Sequence, residues 1–320
     1  MIDVKRYIRG LSALKNSIAE VVDARISRWL YYWYARYVKR WPRRVILFYP
    51  ENPNAMHLID KLCNMLGYRI TNDPNEKADI HYNFEDTTIR VDDETTTRLK
   101  KQHEFVNANC ADISKAHVEK VFQEVYDYGM AIDPRVHNGI CVKKSNINGV
   151  HDGRVIQCPC EPEDGYIYQK LVNNRVNDTT VMDIRPLIIG NSIAGVKYRL
   201  KYMNKRFGSI YDITVKSAED AFQPGEAEKL LEFSRRIGLD FGEIDMLRDI
   251  DDGRLYIVDV NNTPYDSPIG FAITRKEYRE FAYNAAKLFE SAFLLAKRDV
   301  RIPSYALMHV VLDGLQTPFT

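Results

Sequence analysis

The stretch GEIDMLRDIDDGRLYIVDVNNTP, residues 242–264, decides how this chain is read. Two apolar runs, Phe241–Leu247 and Leu255–Val260, flank Asp251-Asp252-Gly253-Arg254, a turn of the kind that joins the strands of a hairpin. Side chains alternate faces along a strand, so Asp259 and Asn261 point one way and Val258 and Val260 the other. Asp245 stands on the partner strand, so three oxygen-bearing side chains can converge on one spot. Carboxylates set among Ile244, Met246, Tyr256, Ile257 and Val260 are costly without a cation or hydrogen-bond donors. Oxygen ligands of this kind suit Mg²⁺, which takes one or two carboxylates and fills its shell with phosphate oxygens and water. The plainer alternative is a solvated hairpin with ordinary surface acids.

Working outward, Met182–Gly190 and Ile193–Leu200 predict a second hairpin, turning at Asn191-Ser192. It places Arg185 and Arg199 on adjacent strands, where two guanidinium forks can approach the same face and bind phosphate or carboxylate oxygens. Tyr166–Val172, Gly139–Lys143 and Val155–Cys158 read as strands, and Ser145–Gly153 as a polar loop containing Gly149 and Gly153. Lys115–Tyr128, Gly225–Ile237 and Arg275–Lys297 read as helices. Nearer the start, strands at Arg44–Tyr49, Tyr68–Thr71 and Ala78–Phe84 alternate with a helix over Met56–Leu66, which suggests a small α/β unit over residues 44–108.

These segments, in this order, resemble the ATP-grasp superfamily. The pattern around Asp245, Asp259 and Asn261 looks like its magnesium-binding hairpin, with aspartate at 259 where most relatives carry glutamate. Asn107–Lys115 and Gly139–Lys143 resemble the segments that supply two phosphate-binding lysines, Lys115 and Lys143. Ser145–Gly153 takes the place of the loop that closes over the phosphates; His151 within it stays outside the expected catalytic set. Tyr166–Val172 resembles the hinge strand that binds adenine through Gln169, Lys170, Leu171 and Val172, and Asp183 stands where relatives bind ribose. Asp183–Gly190 followed by Val196–Arg199 looks most like the glutathione synthetase and ribosomal-protein glutamate ligase branch, in which two arginines, here Arg185 and Arg199, flank the transferred phosphate. The resemblance covers residues 107–265 closely and 44–106 loosely, and does not extend to residues 1–43.

What it implies is an ATP-grasp fold of the α/β (α+β) class and a ligase that uses ATP and Mg²⁺, with Mn²⁺ as a substitute. The ligase would join a carboxylate to an amine through an acyl phosphate. Its substrates could be small molecules, peptides or glycans, and homodimers are common among similar enzymes. The implied domains are 44–108, a pre-ATP-grasp α/β unit, and 109–320, the ATP-grasp domain. The latter divides into 109–172 with the lysines, 173–300 with the metal hairpin, and a tail, 301–320. Two alternatives remain: a kinase passing phosphate to a hydroxyl, and a catalytically silent ATP-binding scaffold.

Composition narrows little. The net charge is +1 over 320 residues, but residues 1–43 and Arg44 hold eleven Lys/Arg against three acids. Residues 3–41 read as one helix carrying all three tryptophans, Trp29, Trp33 and Trp41, interleaved with arginine. This basic aromatic head fits three readings: an arm packed on the body or a second subunit, an interfacial helix on an anionic membrane surface, or, last, a nucleic-acid contact. Five irregularly spaced cysteines suggest reduced thiols in a cytoplasmic protein, peripheral at the inner membrane face if the head binds lipid. No apolar run approaches a membrane span, and no signal peptide is expected.

Overall fold

The computed structural model describes residues 44–266 and 275–294. The head with its expected helix, the last helix beyond residue 294 and the tail lie outside the described residues. No helix among the described residues is long and apolar enough to cross a membrane.

The first unit holds β1 (Val45–Pro50), α1 (Leu58–Met65), β2 (Arg69–Thr71), β3 (Ile80–Phe84), α2 (Glu94–Gln102) and β4 (Phe105–Val106). Its strands are parallel in the order β2-β1-β3-β4. Parallel strands are covered on both faces, which is why VILFYP is an unbroken apolar run. The chain steps from β1 to β2, then crosses back to lay β3 on the other side of β1. This reversal leaves a crevice beyond the carboxyl ends of β1 and β3. Helix α2 went unread in the sequence because ETTTRLKKQ buries only Thr96 and Leu99. Its one local signal is Asp93, whose side chain caps the Thr96 N–H at 2.6 Å.

Next come α3 (Lys115–Tyr126) and a three-stranded antiparallel sheet, β5 (Gly139–Ser145), β6 (Arg154–Cys158) and β7 (Tyr166–Gln169), with β5 in the centre. A larger sheet follows. Its strands are β8 (Arg175–Asn177), β9 (Thr180–Ile189), β10 (Ser192–Tyr202), β11 (Ile210–Lys216), β12 (Phe241–Arg248) and β13 (Leu255–Asn261). They run β11-β10-β9-β12-β13, with β8 pairing β9. Ile189 pairs with Ser192, so the hairpin turns at Gly190-Asn191, one residue before the expected position. Helices α4 (Ala218–Ala221), α5 (Glu226–Ile237) and α6 (Arg275–Phe293) complete the described chain.

The two faces of the large sheet differ. One packs Ile184, Ile188, Val196, Ile244 and Val260 against α3 and α5. The other packs Leu187, Ile189 and Phe241 against α1, α6 and the β1–β3 sheet in one continuous core with Phe48, Tyr82 and Phe289. Further along the strands that second face turns from apolar to charged. Asn107 fixes the start of β12, its Oδ1 accepting from the Asp240 and Phe241 N–H groups and its Nδ2 donating to the Phe241 carbonyl.

Candidate active site

Asp245 and Asp259 face each other in direct register across β12 and β13. A bulge between Asp245 and Met246 adjusts the pairing there. The strands meet so closely that a Cβ on Gly242 would lie 2.5 Å from the Asn261 carbonyl. Both carboxylates line a solvent-open cleft of about 200 Å³. Burial pushes Asp259 above the ordinary carboxylate range; Lys115 and Lys144 oppose this, and the like charge of Asp245 adds to it. Asp259 Oδ1 accepts from the Val260 N–H at 3.1 Å. For Asp245 burial is outweighed by Arg185 and Arg199, which hold it below the ordinary range. Asn261 follows on the face of Asp259 but is not part of the cleft wall; its Oδ1 accepts the Thr263 N–H at 3.0 Å and shapes the exit from β13.

Lys115 opens α3 and lines the cleft, its Nζ donating to the Ile147 carbonyl at 3.0 Å and to Asn148 Oδ1 at 2.8 Å. The second lysine requires a correction. Along β5, Lys143 shares the face of Cys141, turned away from the cleft, where it pairs with Glu163 and lies 4.3 Å above the Tyr166 ring. The cleft face carries Val142 and Lys144. Strand alternation therefore exchanges one lysine for its neighbour. Lys144 Nζ donates to the Val258 carbonyl at 2.8 Å, and burial brings its pKa down to about 8.

The Ser145–Gly153 loop is packed down over the cleft. Asn148 N–H donates to Thr88 Oγ1 at 2.9 Å and its side chain to the Val260 carbonyl at 3.0 Å. Gly153 lies under Phe207, where a Cβ would approach the ring to 2.9 Å. His151 is exposed at the cleft wall.

Gln169, Lys170, Leu171 and Val172, the segment expected to act as a hinge, also line the cleft, with Asp183. Gln169 donates to Glu119 Oε2 at 2.8 Å, and Glu119 Oε1 accepts the Met130 N–H at 2.7 Å. Lys170 turns to Asp249 at 2.7 Å and Asp252 at 3.0 Å. Asp183 pairs with Lys201 at 2.5 Å, which partly offsets the upward push of burial on its carboxyl. Arg206 donates to the Val172 carbonyl at 2.8 Å and so steadies this segment.

Arg185 and Arg199 lie beside this cleft in a buried charge cluster. Fully buried Glu243 accepts from Lys197 at 2.7 Å, Arg185 at 3.2 Å and Arg199 at 3.3 Å. Arg185 also pairs with Asp245, and Lys197 with Asp266 at 2.8 Å. Arg199 keeps a buried Nε with no hydrogen-bond partner. Burial and the neighbouring Arg185 lower its basicity, and Glu243 opposes this. Lys144, Lys197, Lys201 and Glu243 escaped the sequence reading. The signal was the strand period: Glu243 stands two residues before Asp245, and Lys197 two before Arg199.

Among the described residues, no group of three or more His, Cys, Asp and Glu side chains forms a metal cage. Two opposed carboxylates, one raised by its own burial and its neighbour's charge, do fit a magnesium ion that takes its remaining ligands from phosphate and water.

No family model matches the chain, and no curated protein matches it. Solved structures do. The ATP-grasp ligase PsnB, complexed with a minimal precursor, aligns at a TM-score of 0.50 and 11% identity over 77% of this chain and 100% of that one. D-alanine–D-alanine ligase from Bacillus anthracis aligns at 0.47 and 11% identity over 78% and 97% of the two chains. The macrocyclase MdnC from Microcystis aeruginosa, bound with precursor peptide MdnA, aligns at 0.42 and 14% over 77% and 99%. With the sheet order and the facing hairpin carboxylates, the PsnB match fixes the architecture: this chain has the fold of the ATP-grasp superfamily.

Proposed function

We propose that the protein is an ATP-dependent carboxylate–amine ligase that works through an acyl phosphate. The observation that carries this reading is the placement of Asp245 and Asp259 in direct register on the wall of a cleft that also presents Lys115 and Lys144. A substrate carboxylate oxygen bonds to the γ-phosphorus of ATP as the bond to the β-phosphate oxygen breaks, and ADP leaves. The amine nitrogen then bonds to the acyl carbon, loses a proton, and phosphate departs with the C–O electron pair. Lys115 and Lys144 bind phosphate oxygens, and Arg185 meets the charge on the transferring group. Arg199, with its unpartnered Nε, receives the oxygen of the tetrahedral carbon. Magnesium held by Asp245 and Asp259, with Asn261 adjacent, would neutralise phosphate charge. With substrates filling the cleft, the loop would shield from water an intermediate that otherwise hydrolyses.

Calorimetric titration of ATP with and without magnesium tests the nucleotide site, and hydroxylamine trapping tests the acyl phosphate. A hydroxamate supports the ligase; phosphate transfer to a hydroxyl without hydroxamate makes it a kinase.

The two lysines give a sharper contrast. Lys144→Ala is expected to weaken Mg·ATP binding about tenfold or more, the scale of one charge-assisted contact. Lys143→Ala should stay within about twofold, since its partner is Glu163. The reverse ranking in one titration series would return the role to Lys143.

Lys144 also sets a pH dependence. Its pKa of about 8 means that the free protein loses this charge as pH rises through 8. ATP affinity should then fall above that point and level off once the total loss matches that of Lys144→Ala, and Lys144→Arg should flatten the slope. The stability effect has the opposite sign. Between about 8 and the ordinary 10.5 the unfolded chain binds more protons, so folding is favoured as pH rises.

A further inference from the structure

The crevice at the carboxyl ends of β1 and β3 has features that nucleotide binding does not use. His57 caps the start of α1 and is 3% exposed. Its Nδ1 accepts the Asn54 N–H at 3.0 Å, so the ring proton sits on Nε2, directed away from that loop. Nε2 is buried and has no hydrogen-bond partner, although such donors are ordinarily satisfied. The ring is held between Phe84, at 5.0 Å between centroids, and Tyr265, at 4.2 Å. Burial lowers the imidazole pKa, so the neutral donor form persists, and the carboxylate acting on it most strongly is Asp86.

Asp86 is exposed at the rim. It is set in place by the Thr263 hydroxyl at 2.9 Å, the Tyr265 hydroxyl at 3.2 Å and its own N–H, which donates to Glu51 at 3.0 Å. An acidic rim with a buried, unanswered N–H donor asks for a ligand with positive charge and an acceptor oxygen close together. The position suits a substrate. Thr263 lies four residues after Asp259, at most about 14 Å along extended chain, and the Thr88 hydroxyl just beyond Asp86 holds the closing loop.

We propose that this edge binds the amine substrate, and that this substrate carries an ammonium beside a carbonyl or carboxylate oxygen, as an α-amino acid or the amino end of a peptide does. The ammonium meets Asp86 and Glu51, and the oxygen accepts from His57 Nε2. This assignment rests on the ligase reading above.

The test uses the full chain saturated with magnesium and AMP-PNP, titrated with glycylglycine, ethylamine and N-acetylglycine. Glycylglycine should bind about tenfold more tightly than either half-match, because each half-match lacks one charge-assisted or buried contact. It should also shift the His57 side-chain nitrogen resonances. Asp86→Asn and His57→Phe should each weaken it about tenfold, whereas His57→Gln, which keeps a donor, should retain most of the binding. Tyr265→Phe removes one hydroxyl from Asp86 without disturbing the ring stack, and should weaken binding by about threefold. AMP-PNP binding is measured first on every sample. Nucleotide binding without glycylglycine binding, equal binding of all three probes, or variants that change nothing would overturn the acceptor site and leave the ligase reading standing. Failure to bind AMP-PNP would overturn both.

Discussion

Glu243→Gln is expected to destabilise the protein by about 3–5 kcal/mol, the cost of removing one partner from a buried ion cluster. The Glu243 side chain is wholly inaccessible and accepts from Lys197, Arg185 and Arg199 together. Glutamine can accept hydrogen bonds but carries no charge, so three buried cations would share what Asp245 and Asp266 offer. Pairing the change with Lys197→Met should recover part of the loss, because the double variant removes one charge of each sign. Chemical denaturation of the four proteins in this cycle measures it; a loss under about 1 kcal/mol would mean that water reaches the cluster. The pH dependence follows. Burial would raise the Glu243 carboxyl, but the three cations outweigh it and hold it below the ordinary range. Its contribution is therefore present above the unfolded pKa and lost as acid carries the pH down through the folded one. The variant should show a shallower acid slope than the parent.

Asp259→Ala should remove magnesium-dependent nucleotide binding and lower turnover by about 10³-fold or more, the several kcal/mol that a correctly held metal supplies. Stability should change little or improve, because burial disfavours the charged form of this side chain. Asn261→Ala should cost less, since the amide holds the Thr263 N–H and stands outside the cleft wall. Calorimetry across a magnesium series separates the two. Equal ATP affinity with and without magnesium in the parent would remove the metal from the mechanism, and retained turnover in Asp259→Ala would reassign the carboxylate.

The hairpin that carries Asp245 and Asp259 was legible because its signals are local: two apolar runs, a turn sequence, and acids at alternating positions. The strand that bears Lys144 was legible, but its facing was not. Adjacent lysines in GICVKKS differ only in which side of β5 they take, and the burial of Cys141 against Cys158 and Tyr168 decides that. Glu243 was hidden for a related reason. One carboxylate reads as a surface acid until β9 and β10 bring Arg185, Lys197 and Arg199 onto it. Strand β11 was missed although Tyr211, Ile213 and Val215 alternate with Asp212, Thr214 and Lys216, the period of a half-covered edge strand. The His57 site depends on contacts between residues far apart in sequence, such as Thr263 with Asp86, and no local pattern announces them.

The continuous core beneath the charged face bears on how the chain folds. Phe48, Leu58 and Tyr82 from the first unit pack in the same cluster as Leu187, Phe241 and Phe289. The main chain stitches these parts together through Leu58 N–H to the Pro264 carbonyl at 2.9 Å and Asp266 N–H to the Met56 carbonyl at 2.8 Å. Residues 44–106 thus gain much of their cover from segments more than a hundred positions later, and the opening of either part exposes the other. In amide hydrogen exchange, β1, β3, β9 and β12 should protect and release as a single cooperative block, while the three-stranded sheet around Lys144, with its separate small core, exchanges on its own schedule.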